Sequence, residues 1–297
     1  MEKKFKSGFA AIIGLPNVGK STLLNAVLGQ KIAIVSDKPQ TTRNRILAIY
    51  NDSNHQIIFT DTPGIHKPHN KLGEFMVKTA QDTINDVDIV IFMVDAEKKI
   101  SPIEREIAKS IQKSGAECIL VINKADAVKK EELLPVIADY ANLNDFDAIV
   151  PISAKTGDGV DILIDEMKKL LPDGPKFYDD EELITDQQEK QIAEEIIREK
   201  VLRFLDKEVP HGIAVQIEKM SELDRITKIY ASIYCEKASH KGIIIGKNGE
   251  MLKKIGKYAR CDIEKMLDKK VYLELWVKVR DDWRNSEKQI RSFGFDA

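Results

Sequence analysis

Six short apolar runs alternate with amphipathic helical patterns over roughly the first 170 residues, which predicts an α/β fold with a mostly parallel six-stranded sheet. After a Pro/Gly break the order changes to helix, two strands, Gly-rich turn, helix, strand and short helix, which predicts a smaller α+β domain. The strand runs are Phe9–Ile13, Ile46–Tyr50, Gln56–Thr60, Asp88–Val94, Glu117–Ile122 and Ala148–Ile152. Asn51–Asn54, between the second and third, reads as a hairpin turn. Apolar residues spaced three and four apart mark helices at Ser21–Leu28, Lys71–Asn85, Ser101–Lys113, Glu131–Tyr140 and Val160–Leu171. Leu171–Pro175 cannot continue a helix and Asp179–Glu182 is acidic. Residues 1–171 are therefore expected as one domain, Pro172–Asp186 as a linker with Asp179–Glu182 solvated, and residues 187–297 as a second domain. That second domain reads as a helix at Gln187–Asp206 and strands at Ile213–Met220, Ile226–Cys235 and Val271–Val279. Trp276 is expected in its core, while Trp283 fits either a core cap or a partner contact.

The 297 residues suit two domains, each with its own core. With 46 Lys+Arg against 48 Asp+Glu the net charge is −2, which excludes a uniformly basic nucleic-acid coat but not a local basic patch. A 43% hydrophobic and 32% charged composition excludes a disordered chain. No apolar run approaches the ~18 residues that span a bilayer, and the start has no apolar core of a secretory signal. Three cysteines (Cys118, Cys235, Cys261) without metal-ligand spacing point to free thiols in a reducing compartment. A cytoplasmic monomer is expected.

In a sheet of this kind ligands sit beyond the carboxyl ends of the strands, so the chemistry belongs in the loops that follow them. The first such loop is Gly14, Leu15, Pro16, Asn17, Val18, Gly19, Lys20 and Ser21, a G-x-x-x-x-G-K-S string between a strand and a helix. Its amides and the helix N-terminus suit phosphate oxygens, with Lys20 reaching the β- and γ-phosphates and Ser21 ligating Mg²⁺. Asp61, Thr62, Pro63 and Gly64 follow the third run; the carboxylate can hold Mg²⁺ and the Gly64 N–H can approach a γ-phosphate. Asn123, Lys124, Ala125 and Asp126 follow the fifth. The Asp126 carboxylate matches guanine's N1–H and 2-amino donors, and adenine would leave it unpaired. Asn123 can bond the other edge of the base, and the Lys124 stem can lie over it. After the sixth run, Ser153, Ala154 and Lys155 can direct backbone amides at guanine O6.

These four motifs resemble those of translation-factor-class P-loop GTPases, and the resemblance covers residues 8–171. It implies GTP hydrolysis with Mg²⁺, with Lys20, Thr42 and Gly64 in catalytic positions. It also implies a metal-binding threonine in a first switch at Ile34–Arg45, within Gln40–Asn44. Thr42 is favoured and Thr41 is the alternative, giving Ser21, Thr42 and Asp61 as the metal set. One departure stands out. Ile65 occupies the place of the glutamine that orients water in Ras-like members, which implies slow intrinsic turnover by another route. Asn17 resembles an asparagine that helps hold K⁺ in some relatives; the alternative is that it only shapes the loop.

Between Lys237 and Arg260 the cations Lys237, Lys241, Lys247, Lys253, Lys254, Lys257 and Arg260 face Glu250 alone. At their centre lie Gly242, Ile243, Ile244, Ile245, Gly246, Lys247, Asn248 and Gly249. Gly246-x-x-Gly249 lets a nucleic-acid backbone approach, and the three isoleucines are expected as an apolar floor for unstacked bases. This string resembles the type II KH domain. The two domains in this order resemble the Era-type GTPases. That resemblance implies binding near the 3′ end of small-subunit ribosomal RNA, a role in maturing that subunit, and loose association with the inner face of the membrane. Two other readings are a constitutive RNA-binding module with structural GTP and a membrane-peripheral signalling GTPase. The basic stretch reads as lacking the interleaved large aromatics that the last would use, and Phe293–Ala297 carries no lipidation motif.

Overall fold

The computed structural model describes residues 4–36, 38, 41–180, 183–185, 187–205 and 209–295. Met1–Lys3, Asp37, Pro39 and Gln40 of the first switch, Glu181, Glu182 and Asp186 of the expected linker, residues 206–208, and Asp296–Ala297 lie outside the described residues. The chain divides into two compact units. Residues up to Asp186 form the first, apart from Ile34–Thr41 and His69–Leu72, which cluster with Gln187–Ala297 in the second.

The first unit holds β1 (Lys6–Ile13), β2 (Ile46–Asn51), β3 (His55–Asp61), β4 (Ile89–Asp95), β5 (Glu117–Asn123) and β6 (Ala148–Pro151) in one sheet, ordered β2-β3-β1-β4-β5-β6. Only β2 runs antiparallel, paired with β3 through the expected hairpin. Side-chain alternation splits each apolar run between two cores. Ile89, Ile91 and Met93 face the side covered by α1 (Lys20–Leu28) and α5 (Val160–Leu170). Val90, Phe92 and Val94 face the side covered by α2 (Lys71–Asn85), α3 (Pro102–Ser114) and α4 (Lys130–Ala141). Burial on both faces is why these strands read as continuous apolar runs. Helix α3 starts at a Ser101/Glu104 capping box with Pro102 at its first position.

Described residues of the stretch expected as a linker bond to the strands of this unit. Ser7 Oγ donates to Pro175 O (2.5 Å), and Gln56 Oε1 accepts from Phe177 N (2.7 Å). Ile49 N donates to Ile184 O (2.8 Å) and Thr185 Oγ1 to Leu47 O (2.6 Å). Asp179 and Asp180 are exposed, as their charge requires.

The second unit holds α6 (Glu189–Phe204), β7 (Ala214–Glu222), β8 (Ile226–Cys235), α7 (Ala238–Ile245), α8 (Glu250–Leu267), β9 (Lys270–Val279) and α9 (Glu287–Ser292). Its sheet order is β7-β8-β9, with β7 antiparallel and β9 parallel to β8. Helices α6, α7 and α8 bury Ile197, Ile244, Ile255 and Ile263 against Ile229, Ile233 and Val277. Trp276 departs from expectation: it is 39% exposed, because β9 turns Val277 to the core and alternation sends its neighbour outward. Trp283 is the core cap; it is fully buried and its Nε1–H donates to Gly212 O (2.9 Å). Among the described residues no helix is long and apolar enough to cross a membrane.

Candidate functional site

Residues Gly14–Gly19 link the end of β1 to the first turn of α1. Gly19 takes φ 106°, and a Cβ there would collide with Asn123 Nδ2, so the position demands glycine. The helix start has neither a side-chain cap nor an acidic residue in its first turn, so its amides and positive dipole end are available to an anion. Lys20 is buried, and its Nζ donates to Gly14 O (3.1 Å) and Leu15 O (2.9 Å). Burial pulls this ammonium down to about 8, against the opposing pull of Asp61. A polyphosphate is the countercharge that such a group lacks.

Ser21, Thr42 and Asp61 converge beside it. Ser21 Oγ donates to Asp61 Oδ2 (2.7 Å) and lies 2.8 Å from Thr42 Oγ1, which is itself 3.3 Å from Asp61 Oδ2. Asp61 Oδ1 is buried and has no hydrogen-bond partner among the described residues. Burial raises this carboxyl's pKa, opposed by Lys20 and the two hydroxyls. An all-oxygen set with one orphaned carboxylate oxygen fits a hard dication such as Mg²⁺. The Thr41 hydroxyl donates to Lys38 O (2.6 Å), and Thr42 is the threonine whose hydroxyl joins Ser21 and Asp61. Thr62 Oγ1 donates to Ile12 O (2.8 Å) and Ile65 N to Gly14 O (3.1 Å), which pins Asp61, Thr62, Pro63, Gly64 and Ile65 against the phosphate loop. Ile65 is buried and carries no group to orient a water.

The base loops are braced rather than open. Asn123 Nδ2 donates to Val18 O (2.7 Å) and its Oδ1 accepts from Ala154 N (2.9 Å). Its side chain therefore joins the phosphate loop to the loop after β6, and keeps one further N–H for a base. Ser153 N donates to Asp158 O (2.9 Å), so two of the three amides expected to face O6 are engaged within the protein. Asp126 is exposed, and among the described residues no donor pairs with its carboxylate. Ala125 N donates to Ile152 O (3.0 Å), fixing the Asp126 turn to the end of β6. Lys124 sits at φ 65°, and its Nζ bonds Asp95 Oδ2 at 2.6 Å. Asp95 is 1% exposed; burial opposes its charge, and Lys124, the Glu97 amide and Lys98 together hold its pKa low. The sequence reading missed Asp95. Its signal is a polar residue ending an apolar strand directly opposite Asn123.

In the second unit the loop Gly246–Gly249 joins α7 to α8. Gly246 has φ 71°, and a Cβ there would lie 2.7 Å from Met251 Cβ; Asn248 and Gly249 also have positive φ. Lys241, Gly242, Lys247, Asn248, Lys253, Lys254 and Lys257 are exposed around it. The apolar floor is narrower than expected. Ile243 is 50% exposed, Ile244 is wholly buried and Ile245 packs part-buried on the core, because a helix sends three successive side chains in three directions.

Fold and loops together define a P-loop GTPase joined to a KH domain. The pattern of the 50S ribosome-binding GTPase family matches residues 9–124, and that of the KH domain matches residues 208–284. The chain belongs to the Era family of GTPases: it is 51% identical to GTPase Era of Ruminiclostridium cellulolyticum over 292 residues, 98% of each chain. It is 53% identical to that of Clostridioides difficile over 295 residues, 98% of this chain and 99% of that one. An Aquifex aeolicus Era variant bound to GDP and AlF4⁻ superposes with a TM-score of 0.95 at 41% identity, covering 99% of this chain and 100% of that one. A structure of Era in complex with MgGDPNP and nucleotides 1506–1542 of 16S ribosomal RNA gives the same TM-score, identity and coverage.

Proposed function

We propose that this chain is a GTP-hydrolysing switch that binds the 3′ region of small-subunit ribosomal RNA and assists maturation of the small ribosomal subunit. The observation that carries this reading is the relative that holds MgGDPNP and the 16S RNA segment together, similar to this chain over 99% of its length. Residues Gly14 to Ser21 bind the phosphates, and Lys20 exchanges its two carbonyl partners for β- and γ-phosphate oxygens. Ser21, Thr42 and Asp61 hold Mg²⁺, which when bound withdraws negative charge from the phosphate oxygens. Gly64 turns its N–H to the γ-phosphate. Asp126 accepts both donors of guanine, while Asp95 steers the Lys124 stem beneath the ring. Ile65 has no polar group to orient the attacking water as a glutamine would, so rate enhancement comes mainly from positioning and electrostatics and intrinsic turnover is slow. Asn17 takes φ 65°, a conformation asparagine tolerates well, which supports a role in shaping the loop; turnover that is faster in K⁺ than in Na⁺ would add cation binding to that role. The working place is the cytoplasm, with any membrane contact peripheral.

A ligand moves a conformational equilibrium only by its differential affinity for the two states. Full-length protein loaded with a non-hydrolysable GTP analogue is expected to bind a 3′-terminal 16S-type RNA about tenfold more tightly than the GDP form, an ordinary coupling size. Equal affinity of the two forms, read by crosslinking and anisotropy, would refute the switch and favour a constitutive RNA-binding module. Within the site, Thr42→Ala is expected to raise the Mg²⁺ concentration for half-maximal turnover about tenfold or more. Thr41→Ala should leave it within about twofold, and the opposite order in a Mg²⁺ titration would exchange the two roles.

A further inference from the structure

We infer that the RNA path extends beyond the Gly246–Gly249 loop onto a stacking and phosphate-binding ridge built by Arg203 and Phe204 of α6 with Lys254, Lys257 and Tyr258 of α8. The inference rests on the reading that the second unit binds RNA. The expectation of a basic stretch without aromatics fails at Tyr258, which Phe204 joins from another helix. Their rings lie 5.1 Å apart, tilted by 55°. Lys254 Nζ stands 4.4 Å from the Phe204 ring centroid and Arg203 Cζ 5.9 Å from it. Tyr258 is 46% exposed.

What separates this cluster from an ordinary charged helix face is an exposed ring set among its cations, and among the described residues those cations carry no counterion. Elsewhere in the unit Lys200 pairs with Glu199 and Asp262, Lys278 with Glu218 and Arg284 with Glu236. Among the described residues, no carboxylate pairs with Arg203, Lys253, Lys254, Lys257 or Arg260. Like charges at i and i+4, such as Lys253 and Lys257, repel along the helix, and a polyanion relieves that cost. The exposed Tyr258 ring, backed by the part-buried Phe204 and set among cations, favours a nucleic acid over a lipid surface, since a base has a π-face to stack and a headgroup does not. Tyr258 lies nine residues beyond Gly249, so a helix rise places it roughly 13 Å along α8. At about 3.4 Å per stacked nucleotide, a strand seated at the glycine loop reaches the ridge roughly four nucleotides on.

The test measures anisotropy of full-length protein with single-stranded RNA of 4 and of 12 nucleotides. Tyr258→Ala is expected to weaken the 12-mer about tenfold and leave the 4-mer within twofold, while Tyr258→Phe keeps wild-type affinity for both. Arg203→Gln should lower the salt slope for the 12-mer by about one. Lys247→Glu should weaken both lengths. Unchanged binding of both by Lys247→Glu would defeat the underlying reading of the glycine loop and leave the ridge to be judged on the 12-mer alone. Unchanged 12-mer binding by Tyr258→Ala, or equal loss on both lengths, overturns the ridge alone. So would loss of binding to phosphatidylglycerol vesicles with RNA affinity intact, which would assign the ridge to a membrane.

Discussion

Asp126→Asn is expected to lower GTP affinity roughly ten-thousandfold while leaving thermal stability of the nucleotide-free protein unchanged. The aspartate offers two acceptors to the N1–H and 2-amino donors of guanine, whereas asparagine sets an N–H₂ against the 2-amino group. Xanthine carries an oxygen where guanine has that amine, so the same variant should gain affinity for XTP. Stability is spared because the carboxylate is exposed and has no donor paired with it among the described residues. Competition binding with GTP, ATP and XTP reads all three effects. A variant that still prefers GTP would remove Asp126 from the base site, and with it the case for guanine selection.

The second large effect is on Lys20. Replacement by alanine is expected to reduce turnover about a thousandfold or more, by removing a preorganised cation from the phosphate oxygens. The rise in melting temperature on adding nucleotide, which corresponds to about 2.7 kcal/mol at a hundred times Kd, should vanish. The RNA readout adds a distinction. If the nucleotide state governs RNA binding, Lys20→Ala erases the difference between GTP-analogue and GDP conditions. If GTP is merely structural, RNA affinity of the variant falls with its folding, not with its nucleotide.

Much of this was legible in the chain itself. Continuous apolar runs such as Ile89–Val94 announce strands buried on both faces, and the motif loops fall at their carboxyl ends, where such sheets bind ligands. The residues that hold the loops to each other were harder to see. Asn123 reads as a base contact from its place in a motif, yet most of its amide braces Val18 and Ala154, since a sequence states a donor's type but not its partner. Asp95 escaped for the same reason: its partner, Lys124, stands 29 residues away. Ile244 and Trp276 depart from the sequence expectation because neighbouring side chains on a helix or strand point in different directions. One of three successive helical residues had to face inward, and a strand neighbour of Val277 had to face out.

The hydrogen bonds that Ile49 N donates to Ile184 O and Thr185 Oγ1 donates to Leu47 O have a practical meaning for anyone cutting this chain in two. Strand β2 is the outermost member of its sheet, and a bare outer strand is a template on which further copies can line up and precipitate. A fragment stopping at Leu171 strips that sheath away. One that runs on through Thr185 keeps the border of the sheet capped by the protein's own backbone.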